Sequence, residues 1–161
     1  MTKSYRHQPV TEAELQSLVT LSAAEERAFF TRNLHLVPTY RDRLLAVALC
    51  QGAALQFLGR GYGVNDFDVH FFYVQNPRKP RLSRAVKRVM ANVGTFQRVP
   101  VDFVRTVIPG RGPTADLVAV VDHLREFLRR RPTANAMHLA EKAVIGLVPP
   151  KLFGATIWPA V

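Results

Sequence analysis

The chain has 161 residues with an ordinary apolar content of 48%, so one folded domain over residues 1–161 is expected rather than a disordered chain. It has no apolar run of the ~18 residues that a bilayer-spanning helix needs, no apolar N-terminal stretch typical of export, and one cysteine, Cys50; we therefore expect a cytoplasmic protein without disulfides or a cysteine zinc cluster. The formal net charge of +10 favours a polyanionic partner, either a triphosphate or a nucleic acid.

Helices are expected first along the chain. Residues 11–33 are rich in helix formers, and Thr11 with Glu14 has the spacing of a capping box at a helix start. Ser22 is of a residue type that caps helices, so it predicts the beginning of a second helix. Pro38 lacks a backbone N–H and is expected to interrupt this helical region.

The next two segments differ in how clearly they can be assigned. Residues 43–58 are apolar almost throughout, and either a helix or a buried strand that ends near Gln51 fits them. Residues 66–74 alternate and are rich in aromatic and β-branched side chains, which predicts a strand. One side of this strand would carry Phe67, Val69, Phe71 and Tyr73, and the other side Asp66, Asp68, His70 and Phe72.

A basic amphipathic helix and a further strand are predicted next. Residues 81–92 indicate the helix, because apolar and basic side chains fall on separate stripes at helical spacing. The apolar stripe is Leu82, Val86, Val89 and Val93, and the basic stripe is Arg81, Arg84 and Arg88. Residues 99–107 have the composition of a strand, which Pro109 closes.

The remainder of the chain predicts two helices, over residues 114–130 and 133–147, and a Pro-rich apolar tail that packs back on the body. Together these elements predict an α+β (mixed α/β) fold with a small mixed β-sheet flanked by helices. Its core is expected over about residues 40–110, with N-terminal helices within 11–33 and C-terminal helices within 114–147.

Two acidic residues on the predicted strand carry the first chemical signal. Asp66 and Asp68 are separated by one residue, so their side chains project from the same face and repel one another. Burying such a pair is costly unless a cation shares it, and paired carboxylates suit Mg²⁺ or Mn²⁺. The alternative interpretation is that the two aspartates belong to the polar face of an ordinary half-exposed strand. His70 lies on the same side, where either a ligand contact or a structural role fits.

Two further features set this pair in a pattern. Upstream, Gly52 and Ala53 follow an apolar run, where a glycine lets backbone N–H groups approach a phosphate. Downstream, Asp102 lies in the second predicted strand and is the single acid of residues 69–115, which hold nine basic residues. Asp102 is therefore either a salt-bridge partner of Arg98 or Arg105, or a third metal ligand.

With the glycine, the two paired aspartates and the third aspartate in this order, the chain resembles the polymerase-beta-like nucleotidyltransferases. Their pattern is an apolar residue followed by Gly and then Gly or Ser, later Asp-apolar-Asp-apolar, and finally a third carboxylate on another strand. Gly52-Ala53, Asp66-Phe67-Asp68-Val69 and Asp102 match this pattern within residues 44–107. Ala53 departs from it, because alanine has no hydroxyl to offer a phosphate, although a backbone N–H still serves.

The resemblance implies a nucleotidyltransferase-like fold, an NTP substrate and Mg²⁺ or Mn²⁺ as cofactor. Asp66, Asp68 and Asp102 are then the catalytic residues and hold two metal ions about 3.5–4 Å apart. Gly52 and Ala53 are then nucleotide-binding. The nucleoside monophosphate would pass to a hydroxyl of a macromolecular acceptor, because small members of the family include minimal nucleotidyltransferases of toxin–antitoxin systems, which modify a partner protein.

Two other classes of function stay open at this point. One is a catalytically inactive descendant that binds nucleotide or nucleic acid, and the other is a protein-interaction module with an incidental acidic pair. Arg81, Arg84 and Arg88 are the candidate polyanion-binding row, and a solvated basic face is the alternative for them. Both interpretations predict that these three arginines form a continuous exposed row.

Overall fold

The fold is a six-stranded sheet with helices on both sides. The computed structural model describes residues 4–76, 82, 85–110 and 116–159. Its helices there are α1 (Glu12–Arg32), α2 (Val37–Tyr40), α3 (Gln51–Phe57), α4 (Leu117–Arg130) and α5 (Ala134–Ala140), with short 3₁₀ turns at Leu34–Leu36, Arg41–Arg43 and Pro150–Leu152. The strands are β1 (Leu44–Cys50), β2 (Phe67–Val74), β3 (Lys87–Val93), β4 (Phe96–Ile108), β5 (Val144–Val148) and β6 (Thr156–Trp158). The predicted mixture of helices and a mixed sheet is thereby confirmed.

The sheet has the strand order β3-β4-β2-β1-β5-β6. Strands β2 and β4 are parallel, whereas the other neighbouring pairs are antiparallel. In the parallel pair Asp68 lies opposite Asp102. Both acids therefore sit on interior strands, while β3 forms one edge of the sheet next to β4.

Each face of the sheet has its own apolar core. Helix α1 contributes Leu15, Leu18, Phe29 and Phe30 to the core that contains Phe67, Val69 and Phe71 of β2. Helices α4 and α5 cover the other face, where Phe72 and Val74 of β2 lie. Since side chains alternate along a strand, Asp68 and His70 lie on the side that α4 and α5 cover. The alternation predicted for β2 is confirmed, but here both faces are buried.

Helix α1 shows one correct and one wrong prediction. The capping box is present, with the Thr11 side chain accepting from the backbone and Glu14 accepting from the Thr11 N–H. Ser22 does not begin a second helix, because one helix runs through it without interruption. The Ser22 hydroxyl instead donates to the carbonyl of Val19 at 2.9 Å, a bond that lets a serine sit inside a helix.

The apolar stretch left open between helix and strand contains both elements in succession. Strand β1 covers Leu44–Cys50, and α3 begins at the next residue, Gln51. Gln51 has a φ of +65°, in the left-handed region that residues other than glycine rarely adopt. This conformation allows the chain to pass from the strand directly into the helix. It also brings Gly52 to the end of β1.

The predicted basic helix over residues 81–92 is wrong. Within its described part, residues 87–92 belong to β3, which pairs antiparallel with β4. Exposure alternates residue by residue along β3, as expected of an edge strand that is covered on one side. Residues 81 and 84 lie outside the described ranges, whereas the four residues of the apolar stripe lie within them.

The C-terminal third follows the predictions in part. Helix α4 is confirmed at Leu117–Arg130, and the tail packs back as expected, since β6 pairs with β5. The second predicted helix is wrong beyond Ala140, because Val144–Val148 forms β5 between β1 and β6. β-branched side chains and pairing on both sides outweigh the helical pattern there. None of the helices in the described ranges combines the length and hydropathy needed to span a bilayer.

Candidate metal centre

Three aspartates meet where β2 begins, on the side covered by α4 and α5. Asp66 directly precedes β2, Asp68 is its second residue, and Asp102 lies opposite Asp68 on β4. One carboxylate oxygen from each residue lies within 4.8 Å of the others. We call these three residues the acid cluster. The structure therefore brings together all three carboxylates that the sequence pattern singled out.

The electrostatics of the acid cluster are unfavourable in the absence of further cations. Burial raises the pKa of Asp68 to about 7, and the negative charges of Asp66 and Asp102 add to this effect. A carboxylic acid at that position is partly protonated near neutral pH, since its ionised form is poorly solvated and repelled by its neighbours. A cation bound between the three carboxylates would remove this penalty.

A guanidinium already contacts two of the three acids. Arg88 Nε donates to Asp102 Oδ1 and Arg88 Nη2 donates to Asp102 Oδ2, both at 2.7 Å. The same Nη2 lies 3.1 Å from Asp66 Oδ2. Arg88 is the residue of β3 that lies opposite Asp102, so its side chain reaches the acids across the strand pair. Of the two interpretations left open for Asp102, the salt bridge is present, but its partner is Arg88 and not Arg98 or Arg105.

The donor set of the acid cluster fits Mg²⁺ or Mn²⁺. Three carboxylates offer hard oxygen ligands of the kind that these ions prefer. Arg88 stands in as a cation at the same oxygens, which demonstrates that positive charge is accommodated there. Its single charge leaves the three acids under-neutralised. The residues present are therefore compatible with a divalent cation.

A cavity of about 240 Å³ opens beside Asp66 and Asp68. Its other lining residues are Tyr5, Gln51, Gly52, Ala53, Gly63, Asn65, His138 and Lys142. A side chain added at Gly52 would meet no atom within 4 Å, so the glycine leaves the backbone open to this space. Ala53 lines the same cavity, although it is almost fully buried. The two candidate phosphate-binding residues thus adjoin the acids, as the sequence pattern requires.

Gln51 is one of the lining residues that the sequence prediction missed. Its side-chain Oε1 is buried and has no hydrogen-bond partner within the described part of the chain. A buried carbonyl oxygen without a donor is costly, which suggests that a ligand or ordered water completes this site. Its place directly before Gly52 was visible in the sequence. Its exceptional backbone conformation and its burial were not.

Lys142 supplies a positive charge and His138 an imidazole to the cavity lining, and sequence reasoning missed both. Both come from the segment at and after α5, far from the acids in sequence, and no motif marks them. They reach the cavity because α5 ends early and the chain turns into β5, which pairs with β1. A prediction of one continuous helix through this segment could not place them there.

His70 lies in the same row as Asp68 but is enclosed by protein. Its Nδ1 is 3.1 Å from the hydroxyl of Thr106, and the Asn135 side chain donates to that hydroxyl at 3.1 Å. Its ring stacks on Phe72 with the ring centroids 5.9 Å apart. These contacts favour the structural role for His70.

Arg88 of the predicted arginine row is exposed as expected, but it lies on a strand and not on a helix. Arg81 and Arg84 lie outside the described residues. Arg88 lies on a strand and is ion-paired with two members of the acid cluster, so it does not belong to an unpaired basic face. An arginine at this position takes part in the candidate site itself.

No protein-family model, curated protein or solved structure matches this chain. The chain is an α+β protein with three carboxylates clustered at the start of β2 and on the neighbouring parallel strand β4.

Proposed function

We propose that the chain is a divalent-metal-dependent nucleotidyltransferase that transfers a nucleoside monophosphate from an NTP to a hydroxyl of a macromolecular acceptor. The observation that carries this proposal is the convergence of Asp66, Asp68 and Asp102 beside the cavity that Gly52 lines. The order of the elements supports it: strand, glycine turn, helix, strand with two acids, and neighbouring strand with the third acid.

The roles of the residues follow from their positions. Asp66, Asp68 and Asp102 would hold Mg²⁺ or Mn²⁺, which when bound supplies a Lewis acid for phosphoryl oxygens and lowers the pKa of an attacking hydroxyl. Gly52 leaves backbone room for the NTP phosphates, and Lys142 adds positive charge across the cavity. Asp68 and Asp102 lie opposite each other on paired strands, which would fix the positions of their backbones before a substrate binds.

The acceptor is proposed from charge and from the resemblance to small nucleotidyltransferases. With a net charge of +10, the chain would attract an acidic protein surface or a nucleic acid. We infer a partner protein, of the kind modified in toxin–antitoxin systems, as the first candidate and nucleic acid as the second. A cytoplasmic location, where NTPs and Mg²⁺ are present, fits both.

A second candidate function is a catalytically inactive descendant that binds nucleotide or nucleic acid. Two observations favour it: Arg88 makes a bidentate ion pair with Asp102, and Ala53 offers no hydroxyl to a phosphate. In that case Arg88 would be a permanent replacement for the metal. The two candidates therefore differ in whether a divalent cation binds the acid cluster.

The test combines metal binding with nucleotide transfer. Mg²⁺ or Mn²⁺ at 100 times its dissociation constant should stabilise the folded protein by about 2.7 kcal/mol, seen as a higher melting temperature. NTPs radiolabelled at the α-phosphate, incubated with Mg²⁺ and cell lysate, should label an acceptor, because the α-phosphate stays with the transferred monophosphate while pyrophosphate leaves. Asp66→Asn/Asp68→Asn should lose both effects, whereas Asp122→Asn, an exposed aspartate of α4, should keep both.

Two results would decide against transfer. Tight nucleotide binding without labelling by any of the four NTPs would favour the inactive descendant. A metal-induced stabilisation that survives Asp66→Asn/Asp68→Asn would place the ion elsewhere and remove the basis of the proposal.

A further inference from the structure

We propose that Arg88 is an internal counter-ion that competes with the metal: its guanidinium holds the acid cluster in the metal-free protein and leaves it when a divalent cation binds. This inference rests on the proposed function, because it concerns the same acids. It assigns to Arg88 a role that differs from substrate binding.

The geometry of the ion pair places Arg88 in direct competition with a cation. Its fork occupies both carboxylate oxygens of Asp102 and also reaches Asp66. A divalent ion shared by the acid cluster needs oxygens of the same residues, all within 4.8 Å of one another. A guanidinium and a divalent cation that both contact these oxygens would lie close together and repel strongly in a partly buried site. Binding of one therefore weakens binding of the other.

Arg88 can leave without disturbing the fold. Its side chain is 55% exposed, and its strand lies at the edge of the sheet. The strand is held by its ladder with β4 and, on the opposite face, by the salt bridge from Lys87 to Glu25 at 3.2 Å. Movement of the guanidinium into solvent requires rotation of one side chain only. The backbone that carries it stays in place.

The exchange also explains how an unliganded site of this kind remains folded. Without Arg88, the metal-free protein would hold three carboxylates together with no neutralising contact from the described residues. With it, Asp66 and Asp102 are paired while Asp68 is left for the incoming ion. The ion pair of Arg88 therefore stabilises the metal-free site and lowers its affinity for a metal ion.

The experiment measures Mn²⁺ affinity of four full-length proteins from the electron paramagnetic resonance signal of free Mn²⁺. They are the wild type, Arg88→Gln, Arg88→Lys and Lys87→Gln. Lys87→Gln is the matched control, because it removes one positive charge from the same strand but on the opposite face. Circular dichroism checks that each variant is folded.

We expect Arg88→Gln to bind Mn²⁺ about tenfold more tightly than the wild type, a size typical of coupled binding events. Arg88→Lys should lie between them, since an ammonium keeps the charge but cannot form the two-pronged pair. Lys87→Gln should match the wild type. In an NMR titration with Mg²⁺, the Arg88 Nε–H signal should move towards that of a solvated arginine as the ion binds.

Each other outcome has a definite meaning. Equal affinity of wild type and Arg88→Gln would overturn the competition while leaving the metal site intact. Weaker binding by Arg88→Gln would overturn it too, because Arg88 would then be positioning the carboxylates. Failure of every protein to bind Mn²⁺ would instead reject the proposed function, and this inference with it.

Discussion

Two groups of charged side chains lie on opposite faces of the sheet, and consecutive residues of β3 connect to both. Lys87 reaches Glu25 of α1 on one face, and Arg88 reaches the acid cluster on the other. Glu25 also pairs with Arg105 at 3.3 Å and with Arg32 at 3.1 Å. We call Glu25, Arg32, Lys87 and Arg105 the Glu25 cluster.

The two clusters differ in how their buried charges are balanced. In the Glu25 cluster the side chains of Glu25 and Arg105 are 6% and 4% exposed, so one buried acid faces one buried base. In the acid cluster the acids are the more buried groups and the single cation, Arg88, is half exposed. In the first arrangement the two buried charges pair with each other without a ligand. The second leaves negative charge that a further cation can satisfy.

The pKa values of Glu25 and Asp68, the central acids of the two clusters, shift in opposite directions. Burial acts to raise the pKa of Glu25, but hydrogen bonds from Lys87, Arg32 and Arg105 outweigh it and leave the pKa below its ordinary value. For Asp68, burial and the neighbouring acids act in the same direction and raise the pKa. The charged partners of a buried carboxylate, more than its depth, therefore distinguish a structural carboxylate from a candidate functional one.

The largest expected effect is loss of stability when the balanced pair is broken. Glu25→Gln should lower the free energy of unfolding by about 3 kcal/mol, because Arg105 is left buried without its carboxylate. The Arg105 guanidinium lies 3.5 Å from the Phe29 ring centroid, so it cannot easily reach water. Urea denaturation at pH 7 measures the loss.

The control for this prediction is Glu126→Gln, which removes an exposed carboxylate that pairs with Arg129 and Arg130. It should leave the free energy of unfolding nearly unchanged, because solvent screens exposed ion pairs of this kind. Because the pKa of Glu25 is lowered, its contribution should be lost as the pH falls below its ordinary value of 4.5 and through the lowered one. Equal losses for both variants would contradict the division between the clusters.

The second expected effect is an increase in the free energy of unfolding, and it concerns the acid cluster. In the metal-free protein at pH 8, Asp68→Asn should raise the free energy of unfolding by on the order of 2 kcal/mol, since it removes a charge that burial and two acids disfavour. Folding favours protonated Asp68, so wild-type stability from this group declines as the pH rises towards and through about 7.

Thermal melts in EDTA at pH 5 and pH 8 measure this difference. The advantage of Asp68→Asn should shrink at pH 5, where the wild-type carboxyl is protonated in the folded state. Asp122→Asn is again the matched control and should leave both melting temperatures nearly unchanged. A stabilisation by Asp68→Asn that is equal at both pH values would show that charge is not its cause.

Local patterns were enough to predict part of the fold and site. Alternation marked β2, the capping box marked the start of α1, and the spacing of Asp66 and Asp68 placed them on one face. These features depend on neighbours in sequence. The meeting of Asp102 with them depended on strand pairing, which only the resemblance suggested.

The prediction for β3 failed for a reason inherent in short patterns. Residues four apart, such as Val89 and Val93, share a face in a helix and also in a strand, because four is an even number. The choice between the two was made by pairing with β4, which is a non-local interaction. For this reason the ion pair between Arg88 and the acid cluster could not be predicted from the sequence.

The smallest expected effect tests whether exposed members of the Glu25 cluster matter. Arg32 pairs with Glu25 but its side chain is 47% exposed, so solvent and salt screen the interaction. Arg32→Gln should lower the free energy of unfolding by about 0.5 kcal/mol, including the loss of a positive charge in the last turn of α1. In ~1 M NaCl, where the Debye length is about 3 Å, this difference should vanish while that of Glu25→Gln persists. Urea denaturation of both variants at low and high salt makes the comparison. A loss for Arg32→Gln as large as that for Glu25→Gln would mean that the four residues of the Glu25 cluster act as one unit. The exposure of a cation would then not distinguish the Glu25 cluster from the acid cluster.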